Sequence, residues 1–233
     1  AKAATLFPPG ETRVVVYLRE HVRHLLSWYQ QAIHSRAVCL DCAEFARHYR
    51  KDFHTILSRW ADVYGRSNIV ARPYDRTLFS DGDIFNDFTA NALPDAGNIV
   101  RSAPAEANPS LAGNLLFLKL LLNITLGEQA SQERVLSESL ALASLDPSFR
   151  GVFPASVETV ARLRSHARRD RDALARDFDI ALRPPKGAIE GPASPDLSRL
   201  RADIDLIRSE AVKRNFQIVP LIDRLLAGFA PGG

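Results

Sequence analysis

The sequence predicts a helix-rich α/β domain followed by a C-terminal helical appendage. Three observations lead there. The β-branched run Val14-Val15-Val16 continues through Tyr17-Leu18-Arg19, with no Gly or Pro, into a segment where Val22, Leu25, Leu26, Tyr29 and Ile33 recur at helical spacing. A second short apolar run, Asn68 to Tyr74, follows a helical pattern that stops at Gly65. Beyond Leu182 the composition turns to Pro and Gly, and an apolar repeat then resumes at helical intervals. The expected boundaries are a domain over residues 1–182, a linker over 183–195 and the appendage over 196–233.

Taken in order, residues 1–12 are small and polar around Phe7-Pro8-Pro9-Gly10, a turn into the first strand. Val14 to Leu18 reads as a buried strand and Val22 to Ile33 as the helix it feeds. Between Asp41 and Gly65 a further helical pattern carries Phe45, Tyr49, Phe53, Ile56, Leu57, Trp60, Val63 and Tyr64. After the strand at residues 68–74, Asp75 and Asp81-Gly82-Asp83 read as turn and cap chemistry before Ile84, Phe85 and Phe88. An Ala-, Pro- and Gly-containing loop from Leu93 to Ala107 precedes Asn108-Pro109-Ser110, a helix start with Pro in its first turn. The helix that follows, Leu111 to Ile124, is apolar nearly all round apart from Lys119, so it is expected to be buried or to meet a partner. Asp146 to Gly151 is a polar turn before a helix over Val157 to Phe178, whose basic residues interleave with acids as on a solvated face. In the appendage, Leu197, Leu200, Ile204, Ile207 and Val212 mark one amphipathic helix and Phe216 to Phe229 a second. Such a hairpin packs on its own domain or joins two copies of the chain.

The strand-to-helix junction is the candidate site. In open α/β sheets ligands bind beyond the carboxyl ends of the strands, so Arg19 stands at the rim, with the positive end of the next helix expected beside it. An anion is the natural ligand of that arrangement. Arg23 and Ser27 are four apart on one helix face, where a guanidinium fork and a hydroxyl can serve one phosphate.

Strand, Arg19, then Ser27 eight positions on and followed by Trp28-Tyr29, resembles the 3'-phosphate-binding segment of sulfotransferases that use 3'-phosphoadenosine 5'-phosphosulfate. The order Trp60, Gly65, Arg72-Pro73-Tyr74, Gly82-Asp83-Ile84 and Asp87-Phe88 is similar to bacterial members of that group, as are the segments at residues 108–111 and 121–123. The resemblance covers most of residues 12–182. It implies a three-layer P-loop-like sulfotransferase fold and transfer of a sulfuryl group from 3'-phosphoadenosine 5'-phosphosulfate, as co-substrate, to the hydroxyl of a small-molecule or glycan acceptor. It further implies that Arg19 and Ser27 hold the nucleotide's 3'-phosphate; Arg23 joins them only through the helix face it shares with Ser27. Members of the family close that phosphate with a late basic loop, and Arg150 in Phe149-Arg150-Gly151 stands at a comparable place. Two departures are visible. His21 stands where many members have Pro, and nothing before Arg13 supplies the family's first strand and the Lys loop for the 5'-phosphosulfate.

Other chemistry is weaker. His34, Cys39, Cys42 and His48 have a spacing that zinc accepts, but a buried reduced Cys at a helix start accounts for them better, and no metal is expected. Asp81 and Asp83 read as caps, and Pro184 to Gly187 as linker. His21, His24 and His54 are candidates for the base that an acceptor hydroxyl needs, with none of them assigned. Basic and acidic residues nearly balance, 30 against 27, and no basic block argues for nucleic acid. No apolar run reaches membrane-spanning length, so a cytoplasmic protein without membrane contact is expected. The chain holds no Met and opens on Ala, from which a processed or truncated start is expected. Two other functions fit the same residues: a glycosyltransferase or other nucleotide-using transferase, and a non-catalytic or truncated relative that serves as an interaction protein.

Overall fold

A computed structural model of the chain describes residues 2–35, 38–93, 110–184, 189 and 195–228. Among these lie two strands and eleven α-helices: α1 (Lys2–Leu6), β1 (Val14–Leu18), α2 (His21–Ser35), α3 (Cys42–Arg47), α4 (Phe53–Tyr64), β2 (Ile69–Pro73), α5 (Ile84–Ala92), α6 (Gly113–Leu126), α7 (Glu133–Leu142), α8 (Val157–His166), α9 (Arg168–Phe178), α10 (Leu200–Lys213) and α11 (Ile218–Gly228). The protein is mostly helical, with one small parallel sheet in which Val14 faces Ile69 and Leu18 faces Pro73.

The chain divides into two compact units, each assembled from separated stretches. The first takes Ala1–Arg23, Arg50–Glu106 and Ala161–Lys186, and the second His24–Tyr49, Ala107–Val160 and Gly187–Gly233. The first unit holds the sheet. Its core is Leu18 and Ile69 from the strands, Phe53, Leu57 and Tyr64 from α4, and Leu174, Phe178, Ile180 and Leu182 from α9 and the segment after it. Parallel strands need a covering layer, and α4 supplies it by packing against both strands and α9. The Val14–Tyr17 side chains are half-buried rather than fully buried as the β-branched run suggested, because a two-strand sheet leaves each strand with an outer edge.

Two long helical patterns are each broken once. Residues 42–64 form α3 and α4, separated at His48–Asp52, because Asp52 accepts from Thr55 N and so starts a new helix. Gly65, at φ +83°, ends α4 with its N–H on Ala61 O. Residues 157–178 form α8 and α9, with the break at Ala167.

The second unit is helical. Residues 196–233, read from sequence as an appendage, contribute α10 and α11, which pack against α6 and α7 in this unit. Glu138 of α7, buried, accepts from Gln217 N and Ile218 N at 2.9 Å each and so caps the start of α11. Lys119 is the surprise of α6. It is 1% exposed, and its ammonium donates to Ile33 O at 3.1 Å and to Asn123 Oδ1. Asn123 Nδ2 donates to Ile33 O and Val38 O, so α6 holds the C-terminal end of α2 through polar groups inside an apolar helix. No helix among the described residues is long and apolar enough to cross a membrane. The loop expected at residues 93–107 and the linker at 183–195 lie largely outside the described residues, as do Asn108, Pro109 and Pro185 to Gly187.

Candidate functional site

The carboxyl end of the sheet organises the first unit's cleft. Leu18 anchors β1 in the core, and its carbonyl accepts from Tyr74 N at 2.7 Å, which ties the two strand ends together one residue past β2. The next residue, Arg19, leaves the sheet half-buried and lays its guanidinium over the Tyr74 ring, 4.6 Å from the centroid. Arg19 makes no hydrogen bond or ion pair among the described residues. Its forked N–H donors are therefore not committed to any described group.

A cleft opens beside this pair. Its walls are Leu18 and Pro73-Tyr74-Asp75 from the strand ends, Glu20 and Arg23 from the start of α2, Leu78, and Ala181-Leu182-Arg183 after α9. Arg183 is exposed and likewise makes no hydrogen bond or ion pair among the described residues.

The start of α2 differs from the expectation that its positive end faces the ligand. Glu20 Oε2 accepts from Val22 N at 2.9 Å and Arg23 N at 3.2 Å, so the protein's own carboxylate already occupies those amides. The physical reason is ordinary capping: unpaired N–H groups at a helix start take the nearest acceptor, here a residue the sequence reading passed over. Those two amides are therefore not available to an anion.

His21, the next residue, is buried and lies 2.6 Å from Asp170 Oδ2 through Nε2. Asp170 also accepts from Phe53 N at 3.1 Å and His54 N at 2.7 Å, so one carboxylate ties α9 to the starts of α2 and α4. Burial works against the ionised Asp170, but the bonds from His21 and the two amides outweigh it and hold the carboxyl below its usual range. His54 is paired with Asp177 at 2.7 Å. Both histidines are committed to carboxylates in the scaffold.

Behind the cleft, Asp87 of α5 is fully buried and binds the sheet. It takes both Arg72 Nε and Nη2 at 2.7 Å, the Tyr17 hydroxyl at 2.7 Å and Ser80 N at 3.2 Å. Burial and the facing Asp87 push the Tyr17 hydroxyl up to about 12. Burial opposes ionisation of Asp87, yet the Arg72 and Tyr17 bonds bring its carboxyl below the usual range.

The remaining two predicted site residues belong to the second unit. Ser27 is half-buried on α2, and its hydroxyl makes no hydrogen bond among the described residues. Arg150 is exposed and donates from Nε to Ala143 O at 2.9 Å. Its segment is tied to α2, because Gln30 Nε2 donates to Gly151 O at 2.8 Å and to Leu111 O at 2.7 Å. In this unit Tyr49 Oη is 3.1 Å from His24 Nδ1. The structure thus places Arg23 in the cleft wall with Tyr74, the ring on which Arg19 stacks, and brings Arg150's segment to the helix that carries Ser27.

Among the described residues no group of three or more His, Cys, Asp or Glu is placed to hold a metal. Cys39 is exposed, whereas Cys42 is buried at the start of α3, where burial and Asp41 push its thiol up to about 12. His34 lies 3.0 Å from Leu136 O, with its basicity lowered by burial. Asp83 caps α5 through Phe85 N and Asn86 N.

No family model matches this chain, and no solved structure matches it. A protein of Archaeoglobus fulgidus that is described as uncharacterized is 34% identical over 104 residues. That stretch covers 43% of this chain, and the chain spans 27% of that protein's length. The likeness carries no activity with it.

Proposed function

We propose that this chain carries the nucleotide-binding part of a sulfotransferase with the three-layer P-loop-like fold of that family. Its reaction forms an O–S bond to an acceptor hydroxyl, on a glycan or a small molecule, and breaks the S–O bond to the 5'-phosphate of 3'-phosphoadenosine 5'-phosphosulfate. The observation that carries the reading is Arg19: a half-buried guanidinium at the carboxyl end of a parallel strand, stacked on Tyr74 and free of any bond to the protein among the described residues. The resemblance gives the 3'-phosphate to Arg19 and Ser27, and each keeps its polar group available. Arg23 lines the same cleft as Tyr74. Arg150 remains a candidate for the family's late basic loop.

Calorimetry tests the reading with adenosine 3',5'-bisphosphate against adenosine 5'-phosphate, on the wild-type chain and on Arg19→Ala. The expected result is a preference for the 3'-phosphorylated nucleotide that the substitution abolishes. No preference in a folded chain would refute it, and tighter binding of uridine diphosphate would move the assignment to a glycosyltransferase.

A further inference from the structure

Arg183, in the segment that follows α9, lines the first unit's cleft together with two carboxylates, Glu20 and Asp75. It pairs with neither, and the reason lies in what the acids already hold. Glu20 Oε2 accepts from the Val22 and Arg23 amides. Asp75 Oδ1 accepts from Thr77 N at 3.0 Å and from the Thr77 hydroxyl at 2.9 Å. Both carboxylates cap the turns that follow them, which leaves Arg183 an exposed guanidinium with no hydrogen bond or ion pair among the described residues. We propose that Arg183 binds the 5'-phosphate of the 3'-phosphorylated nucleotide, so that two arginines placed about Tyr74 hold the two anionic groups of one ligand.

The inference rests on the nucleotide reading above, which gives the 3'-phosphate to Arg19. Arg19 lies on the Tyr74 ring and is not part of the cleft lining, whereas Arg183 is part of it. The two guanidinium groups therefore occupy different positions, one on the ring and one in the cleft that the same tyrosine helps to line. A ligand with one phosphate answers one of them, and a ligand phosphorylated at both ends of its sugar answers both. Leu18, Leu78 and Leu182 line the cleft beside Arg183, and such apolar walls strengthen the attraction between a cation and an entering anion. A phosphate fits that cation well, because its paired oxygens match the planar fork of N–H donors.

Calorimetry with adenosine 3',5'-bisphosphate, adenosine 5'-phosphate and adenosine 3'-phosphate separates the two ends of the ligand, on the wild-type chain, Arg183→Ala and Arg19→Ala. Loss of one guanidinium–phosphate pair predicts about tenfold weaker binding of both 5'-phosphorylated ligands by Arg183→Ala, with adenosine 3'-phosphate bound as before. Arg19→Ala should show the mirror pattern, weakening the two 3'-phosphorylated ligands and sparing adenosine 5'-phosphate. Arg183 is exposed, so its replacement should leave the melting curve in place. Unchanged binding of the 5'-phosphorylated ligands by Arg183→Ala overturns the proposal, as does an equal loss for adenosine 3'-phosphate. Either result leaves the nucleotide reading intact, provided that the wild-type chain prefers the bisphosphate to adenosine 5'-phosphate. If a folded wild-type chain shows no such preference, the nucleotide reading itself falls and this proposal with it.

Discussion

Lys119 makes the stability of the second unit depend on pH in a direction opposite to that of most paired lysines. Burial disfavours the charged amine and lowers it from 10.5 to about 8, against a smaller opposing effect from Cys39. A lysine whose folded value is depressed destabilises the fold while it is protonated. Below about pH 8 both states hold the proton and the full penalty is present. Between about 8 and 10.5 the unfolded chain holds a proton that the folded chain has released, so stability rises by about 1.4 kcal/mol per pH unit. Integrated over that window, the gain is about 3 kcal/mol. Lys119→Met keeps a straight apolar stem and removes the titrating group. It also takes a donor from Asn123 Oδ1, while Ile33 O keeps its bond from Asn123 Nδ2. Urea unfolding at half-unit steps from pH 7 to 9.5, in a Cys39→Ser background that removes the exposed thiol, reads the effect. Wild-type stability should climb relative to the Met variant across that range, with the two curves converging or crossing as pH rises. Parallel curves would mean that Lys119 keeps an ordinary affinity for its proton, and the argument from burial would be wrong.

Two further substitutions probe the framework around the candidate site. Gly113 opens α6 at φ +53°, and a Cβ there would lie 2.5 Å from Ser148 O, so Gly113→Ala should cost about 3 kcal/mol in urea unfolding; a neutral result would mean that the backbone can relax there. Asp87→Ala leaves the half-buried Arg72 and Tyr17 without their shared acceptor and should also cost about 3 kcal/mol, whereas a loss below about 1 kcal/mol by the same measurement would show that the network is solvated.

The junction of β1 and α2 was legible because the hydrophobic period changes there from strand to helix with no breaker between, and period is a local property. Tyr74 beside Arg19 was not, since a cation–π contact joins residues far apart in the chain. The split of residues 42–64 had a local signal in Asp52, a good cap inside an apolar pattern. The second support for that helix start, Asp170, comes from the other end of the sequence. Lys119 was marked as the exception on an apolar helix. Asn123, one turn later, was the sign that a polar pair was being buried together. The two units were hidden for a simpler reason: each is made from three separated stretches, and no composition shift marks a boundary inside a continuous helix such as α2.

Glu20 bears on how the nucleotide proposed above would be held. A helix N-terminus offers a phosphate partial positive charge and amide donors, but that offer stands only while the amides are unpaired. With Oε2 on Val22 N and Arg23 N, a negative charge sits where the helix would otherwise attract one. Under the proposed reading, affinity for the phosphate comes from guanidinium groups, whose planar forks recognise it by geometry as well as by charge. That arrangement is the more selective of the two. An uncapped helix end accepts any small anion, whereas guanidinium forks favour one whose oxygens match their planar geometry.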